Sequence, residues 1–209
     1  MRQSRYNDSV FINCPFDAEY LPILQAIIFA VYQCGFYPRS ALEEDNALNN
    51  RLGKIELCIE QCRYGIHDIS RTELTNNHFP RFNMPFELGI FFGAKRFGDK
   101  KQKQKNALIF ERVRFAYQQY ISDLNGIDTK AHDNDPEKVI KTVRNWLFTA
   151  SRRTTIPAHA TILDKFRIFR AKLPEIAALL SFDIHEIPFN DYCIMVEEAI
   201  REDIEKSAT

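Results

Sequence analysis

The chain has no excess of charge of either sign: its 209 residues hold 28 basic and 28 acidic side chains. Nucleic-acid binders usually carry a basic surplus, so the balance argues against that class. It also lacks a hydrophobic run that could cross a bilayer. The longest, residues 23–32, is interrupted by Gln25, and a spanning helix needs about 20 apolar residues. The basic residues near Met1 are not followed by an apolar run, so no secretory signal is expected. Metal-ligand spacing is missing too. The five cysteines are an odd number, and Cys58 and Cys62, four apart in a helical pattern, have no second Cys/His pair at finger spacing. Free thiols in a reducing cytoplasm are expected instead. There is no internal repeat and no low-complexity tract.

What is present is the make-up of an ordinary folded domain: 45% hydrophobic and 27% charged residues, with 17 phenylalanines that predict an aromatic core. The length suits one domain with an appendage. One basic run, residues 95–105, holds Lys95, Arg96, Lys100, Lys101, Lys103 and Lys105 without a strong apolar stripe, and reads as a solvated loop.

Val10-Phe11-Ile12 predicts a buried strand that runs into the polar loop Asn13-Cys14-Pro15-Phe16-Asp17. Leu21, Leu24, Ile28, Val31 and Tyr32 recur at helical spacing, and Gly35 stands where a helix stop is expected. Residues 36–42 suggest a second strand, which Pro38 makes either an edge strand or an irregular one. Leu52, Ile55, Ile59 and Cys62 mark a second helix, and residues 64–69 a third strand. Residues 71–83 read as a loop long enough to be functional. Pro85 suits the first position of the next helix, followed by Leu88, Phe91 and Phe92. Residues 107–110 predict a fourth strand. Asp135 is placed to cap a helix with Val139, Ile140, Val143, Trp146 and Leu147 on one face. Strands alternating with helices imply a parallel sheet with helices on both faces. The polar ends of such strands converge on one edge, where ligands bind.

A composition shift at residues 151–157 predicts a linker between an α/β domain, residues 1–150, and a helical extension, residues 151–209. The extension carries a stripe of Ile162, Phe166, Phe169 and Leu173 ended by Pro174, a short helix near 176–180, and a last helix through Ile194, Met195, Ala199 and Ile200. About 55 residues cannot readily bury a core alone, so this piece is expected to dock on the sheet domain or on a second subunit.

The string Met84-Pro85-Phe86-Glu87-Leu88-Gly89 sets one carboxylate among apolar neighbours where a helix opens. Breaking a ribose–base bond builds positive charge on the sugar. A carboxylate beside the anomeric carbon lowers that barrier by electrostatics or by forming a covalent intermediate. The plainer alternative makes Glu87 the third helical residue, reaching back to a free backbone amide and offsetting the helix dipole, worth about 0.3–1 kcal/mol. Asp68 ends the third strand, where it can accept hydrogen bonds from ribose hydroxyls or form a turn with Ser70. His67 points to the opposite face and reads as structural. Asn13 and Asp17 bracket Pro15 in the first loop, where the next helix turns its positive end toward a phosphate or ribose. Asp17 as a plain helix cap is the alternative. Arg51 opens the second helix near the same edge and either offers a phosphate two-point contact or is, as is commoner, a plain surface arginine. Cys14, Phe16, Ser70 and Asn83 complete the candidate substrate-binding set. Cys14 as a nucleophile would need His67 or His132 brought to it by the fold.

Three motifs occur in a fixed order: Val10-Phe11-Ile12-Asn13-Cys14-Pro15-Phe16-Asp17, then Tyr64-Gly65-Ile66-His67-Asp68-Ile69-Ser70, then Met84-Pro85-Phe86-Glu87-Leu88-Gly89. Together they resemble the bacterial TIR-like and nucleoside 2-deoxyribosyltransferase-like group over roughly residues 8–148. The resemblance implies a flavodoxin-like sheet and cleavage of an N-glycosidic bond, with Glu87 as nucleophile or cation stabiliser and Asp68 contacting ribose. It implies NAD as the substrate rather than a cofactor, no metal, activity as a homo-oligomer, and a role in defence against phage by NAD depletion. The alternatives are a non-catalytic module that senses a nucleotide or self-associates, and a nucleoside 2-deoxyribosyltransferase. The chain departs from TIR signalling domains in lacking a recognisable receptor-contact loop, and from simple transferases in its helical tail.

Overall fold

The structure, a computed structural model, describes residues 6–71 and 81–207. Most of the loop expected at 71–83 lies outside the described residues. The chain forms two compact units, one from Met1–Phe16 and Tyr37–Asp135, the other from Asp17–Phe36 and Pro136–Thr209.

The first unit holds the strands β1 (Ser9–Asn13), β2 (Tyr37–Arg39), β3 (Tyr64–Asp68), β4 (Asn106–Glu111) and β5 (Lys130–Ala131). They form one all-parallel sheet in the order β2-β1-β3-β4-β5. That order is flavodoxin-like, and the fold class is the expected α/β one. All five residues of β1 and of β3 are buried, as the continuous apolar runs of central parallel strands require. Pro38 lies in β2 at the sheet edge, where its missing N–H is tolerated. β5 has only two residues and no hydrophobic run, so the sequence gives no sign of it.

Two helices of this unit are labelled with those of the second in chain order: α2 (Arg51–Gln61) and α3 (Asn83–Phe97) here, and α1 (Leu21–Gln33), α4 (Pro136–Ser151), α5 (His159–Leu179) and α6 (Phe189–Ser207) there. A cluster of Phe11, Ile55, Cys58, Ile59, Cys62 and Phe91 joins β1, α2 and α3. Gly65 permits this packing. A Cβ there would stand 2.7 Å from His67 Nε2 and 2.8 Å from the Phe91 ring.

Lys105 departs from the solvated-loop expectation. It is fully buried, and its ammonium donates to the carbonyls of Ile59 and Cys62 at the end of α2. It also lies 4.7 Å from the centre of the Phe91 ring. Burial pulls its pKa down to about 8, so it stays mostly charged at neutral pH, facing the negative end of the α2 dipole. The other basic residues of the run are exposed as expected.

In the second unit residues 23–31 of α1 are all buried. The helix ends in a Schellman turn. Phe36 N–H donates to Val31 O and Gly35 N–H to Tyr32 O, with Gly35 at φ 77°. Phe29 packs 5.2 Å from Phe166 and 5.4 Å from Phe169, ring centre to ring centre. The helical extension therefore shares a unit with α1 and α4, and the contacts do not part at residue 150. Pro174 does not end α5, which runs on to Leu179. The expected linker is also tied down. Arg144 Nε donates to Pro157 O at 2.7 Å, and Arg153 lies over the Phe36 ring at 4.1 Å while donating to Gly35 O at 3.0 Å.

Candidate functional site

α3 begins at Asn83, two residues before Pro85. Pro85 thus falls within the first turn, where helix N–H groups have no intrahelical partner and proline is tolerated. Glu87 is consequently one turn into the helix and not its third residue, which removes the capping alternative. Its side chain is buried, with the residue 7% exposed. Among the described residues it accepts no hydrogen bond. Burial raises its pKa from 4.5 to about 7, against the pull of Arg51. Arg51 is exposed at the first position of α2, a helix capped by Asn50, whose Oδ1 accepts from Gly53 N–H at 2.6 Å.

Asn13 ends β1 and is 2% exposed. Its Nδ2 donates to Met84 O at 2.8 Å and lies 3.1 Å from His67 Nδ1. These bonds place the start of α3 beside the carboxyl ends of β1 and β3, the edge where ligands bind in such sheets. The amide is committed to the protein rather than offered to a ligand. His67 is fully buried, and burial, then the Lys105 charge, lowers its pKa to about 3. The ring is neutral, with Nδ1 accepting from Asn13 and the proton assigned to Nε2. The structural reading of His67 matches this placement.

Asp68 is likewise closed off, at 0% exposure. Its Oδ1 accepts from Ser70 N–H at 2.9 Å and from Ser70 Oγ, and its Oδ2 stands 3.2 Å from His132 Nε2. His132 Nδ1 in turn accepts from Asn134 N–H at 3.0 Å. A carboxylate so enclosed ties the end of β3 to the segment after β5, and it has no face to present to a ribose. Ser70 is spent on the same carboxylate. Cys14 is buried, Phe16 is 38% exposed, and Asn83 is exposed at the opening of α3. Asp17 lies in the second unit, where its carbonyl and Oδ1 accept from the Tyr20 N–H at 3.0 and 3.1 Å. These bonds close a turn just before α1, whose cap position is held by Tyr20 and not by Asp17.

Glu111 is the rim carboxylate whose work the sequence conceals. At 1% exposure it accepts from Phe115 N–H and Tyr117 N–H, each at 3.0 Å, and from Thr129 Oγ1. It folds the loop after β4 inward, with Phe115 at φ 67°. Glu111 is the last residue of β4 and His132 the first after β5, and this position at a strand end is the only signal either one gives. Among the described residues no group of His, Cys, Asp and Glu side chains is placed to hold a metal, and no helix is long and apolar enough to cross a membrane.

Among the described residues the rim thus holds three buried carboxylates in two different settings. Asp68 and Glu111 are held by internal partners, whereas Glu87 is left with the field of one cation. Such a group can stabilise or capture a cation brought to it. The chain matches no protein-family model, no curated protein and no solved structure.

Proposed function

We propose that the chain cleaves the N-glycosidic bond of a nucleotide, NAD first, with Glu87 facing the ribosyl cation that forms. The observation that supports this best is the state of Glu87: buried, without an internal hydrogen bond among the described residues, and carrying a raised pKa. Burying an unsatisfied carboxylate costs stability, and perturbed groups of this kind cluster at functional sites. The low dielectric that raises its proton affinity also strengthens its attraction for a cation in the same space. Because Asp68 is enclosed, Glu87 acts alone. A lone carboxylate suits a leaving group that already bears positive charge, as nicotinamide does in NAD. A neutral purine or pyrimidine needs a donor as well, which favours the hydrolase over the deoxyribosyltransferase. Consumption of NAD by an assembled form would fit a role in defence against phage.

The test is incubation with NAD, NADP and 2′-deoxynucleosides at high protein concentration, so that self-association is not limiting, with free base measured by chromatography. Nicotinamide release is expected from the wild type. Glu87→Gln is expected to lose at least about 100-fold in rate. The rate should rise as the pH passes through about 7, since the ionised carboxyl is the active form. A Glu87→Gln variant as fast as the wild type would falsify this reading. Tight NAD binding without release would favour the nucleotide-sensing alternative.

A further inference from the structure

We infer that Asn13 is a positioning residue: its side-chain amide fastens the first turn of α3 to the ends of β1 and β3, and so sets where Glu87 stands. This rests on the role proposed for Glu87. The primary amide has two N–H groups, and the two acceptors in reach, Met84 O at 2.8 Å and His67 Nδ1 at 3.1 Å, match that number. Met84 is the second residue of α3 and lies one turn before Glu87. Helix α3 has no side-chain cap, because Phe82 occupies the cap position and makes no such bond. Met84 and Leu88 fix the turn by burial, and the Asn13 bond adds direction to that apolar contact. His67 is itself held, because Gly65 leaves room for its ring against Phe91 at a centre-to-centre distance of 4.8 Å. The tether thus runs from a rigid strand pair to the helix turn bearing the carboxylate. Loss of such a hold displaces a reacting group, and about 1 Å of misplacement costs about 100-fold in rate.

The experiment is a carbon-13 NMR titration of the Glu87 carboxyl, assigned by comparison with Glu87→Gln, in the wild type and in Asn13→Ala. Nicotinamide release is measured beside it. Arg51 of α2 is the charged group among the described residues whose field reaches Glu87, and the substitution leaves it in place. Loosening the turn admits water to the carboxyl, so its midpoint in Asn13→Ala should fall from about 7 toward the ordinary 4.5. NAD turnover should drop about 100-fold in kcat with KM changed less than about threefold. An unmoved midpoint overturns the inference, whatever happens to turnover. A midpoint that moves in a protein without any turnover supports the positioning role and discards the proposed function. Should Asn13→Ala fail to fold, Asn13→Ser, whose hydroxyl donates to one acceptor at a time, is titrated instead and should give an intermediate midpoint. Failure of both variants to fold makes residue 13 a folding determinant and overturns the inference.

Discussion

Glu87 and His67 pull the stability of the first unit in opposite directions as the pH changes. The Glu87 carboxyl has its folded pKa raised from 4.5 to about 7. Below 4.5 it is protonated in both states and has no effect. Between 4.5 and 7 the unfolded chain ionises first, so stability falls as the pH rises, by about 2–3 kcal/mol in all. His67 has its folded pKa lowered from 6.5 to about 3. Its unfolded form takes up a proton first, so stability is lost as the pH falls below 6.5. The two slopes oppose each other between 4.5 and 6.5. Glu87→Gln should therefore be more stable than the wild type at pH 8 by about 2 kcal/mol, and no more stable at pH 4. It should also lose stability on acidification more steeply, because the His67 slope is no longer offset. Urea unfolding across this range checks both points, and an equal gain at pH 4 and pH 8 would count against them. These two side chains also show how far a sequence is legible at this scale. Glu87 was visible as a carboxylate among apolar residues. The commitments of Asn13 to Met84 and of Asp68 to His132 were not, because partners 71 and 64 positions away leave no local trace.

Helix α5 keeps its course through Pro174, an exposed residue deep in the helix, fifteen residues after its first, His159. Proline there removes the N–H that would bond to Arg170 O, a loss of about 3 kcal/mol in a helix interior, while stiffening the unfolded chain returns up to about 1. Replacing it, Pro174→Ala, should stabilise the protein by about 2 kcal/mol and raise its Tm by about 4–8 °C. An unchanged or lower Tm would show that the surrounding helices already absorb the defect. Pro174 also shows why the local pattern predicts a helix end where there is none. Its local rule says stop, but Leu173 and Ala177 on either side are buried on one face, and tertiary burial outweighs the rule. Elsewhere the elements with strong periodicity, β1, β3, β4, α1, α2 and α4, are legible in their apolar spacing. Helix α3 starts two residues before the position that Pro85 predicts, because proline is tolerated anywhere in the first turn. Strand β5 is not legible, because two half-buried residues form no pattern.

For the whole molecule, the helical extension is bound into a core and does not trail from one. Phe166 and Phe169 meet Phe29, and Tyr192 donates to Gln25 O at 3.4 Å. A chain cut after Ser151 would bare the α1 and α4 faces that α5 and α6 cover, at about 1.5–3 kcal/mol for each large apolar side chain exposed. The expected result is an aggregating or poorly folded protein by size-exclusion chromatography and circular dichroism. A monodisperse, cooperatively melting product of residues 1–151 would restore the simpler division into a domain and a tail. Both units share one further property: all five cysteines, Cys14, Cys34, Cys58, Cys62 and Cys193, are buried thiols outside any disulfide. Burial pushes the thiols of Cys58 and Cys34 up to about 11 and about 12, and that of Cys62 higher still. Thiolate is the reactive form, so oxidants and alkylating agents find almost nothing to attack in the native fold. Redox stress can then mark these three thiols covalently only after the chain has come undone.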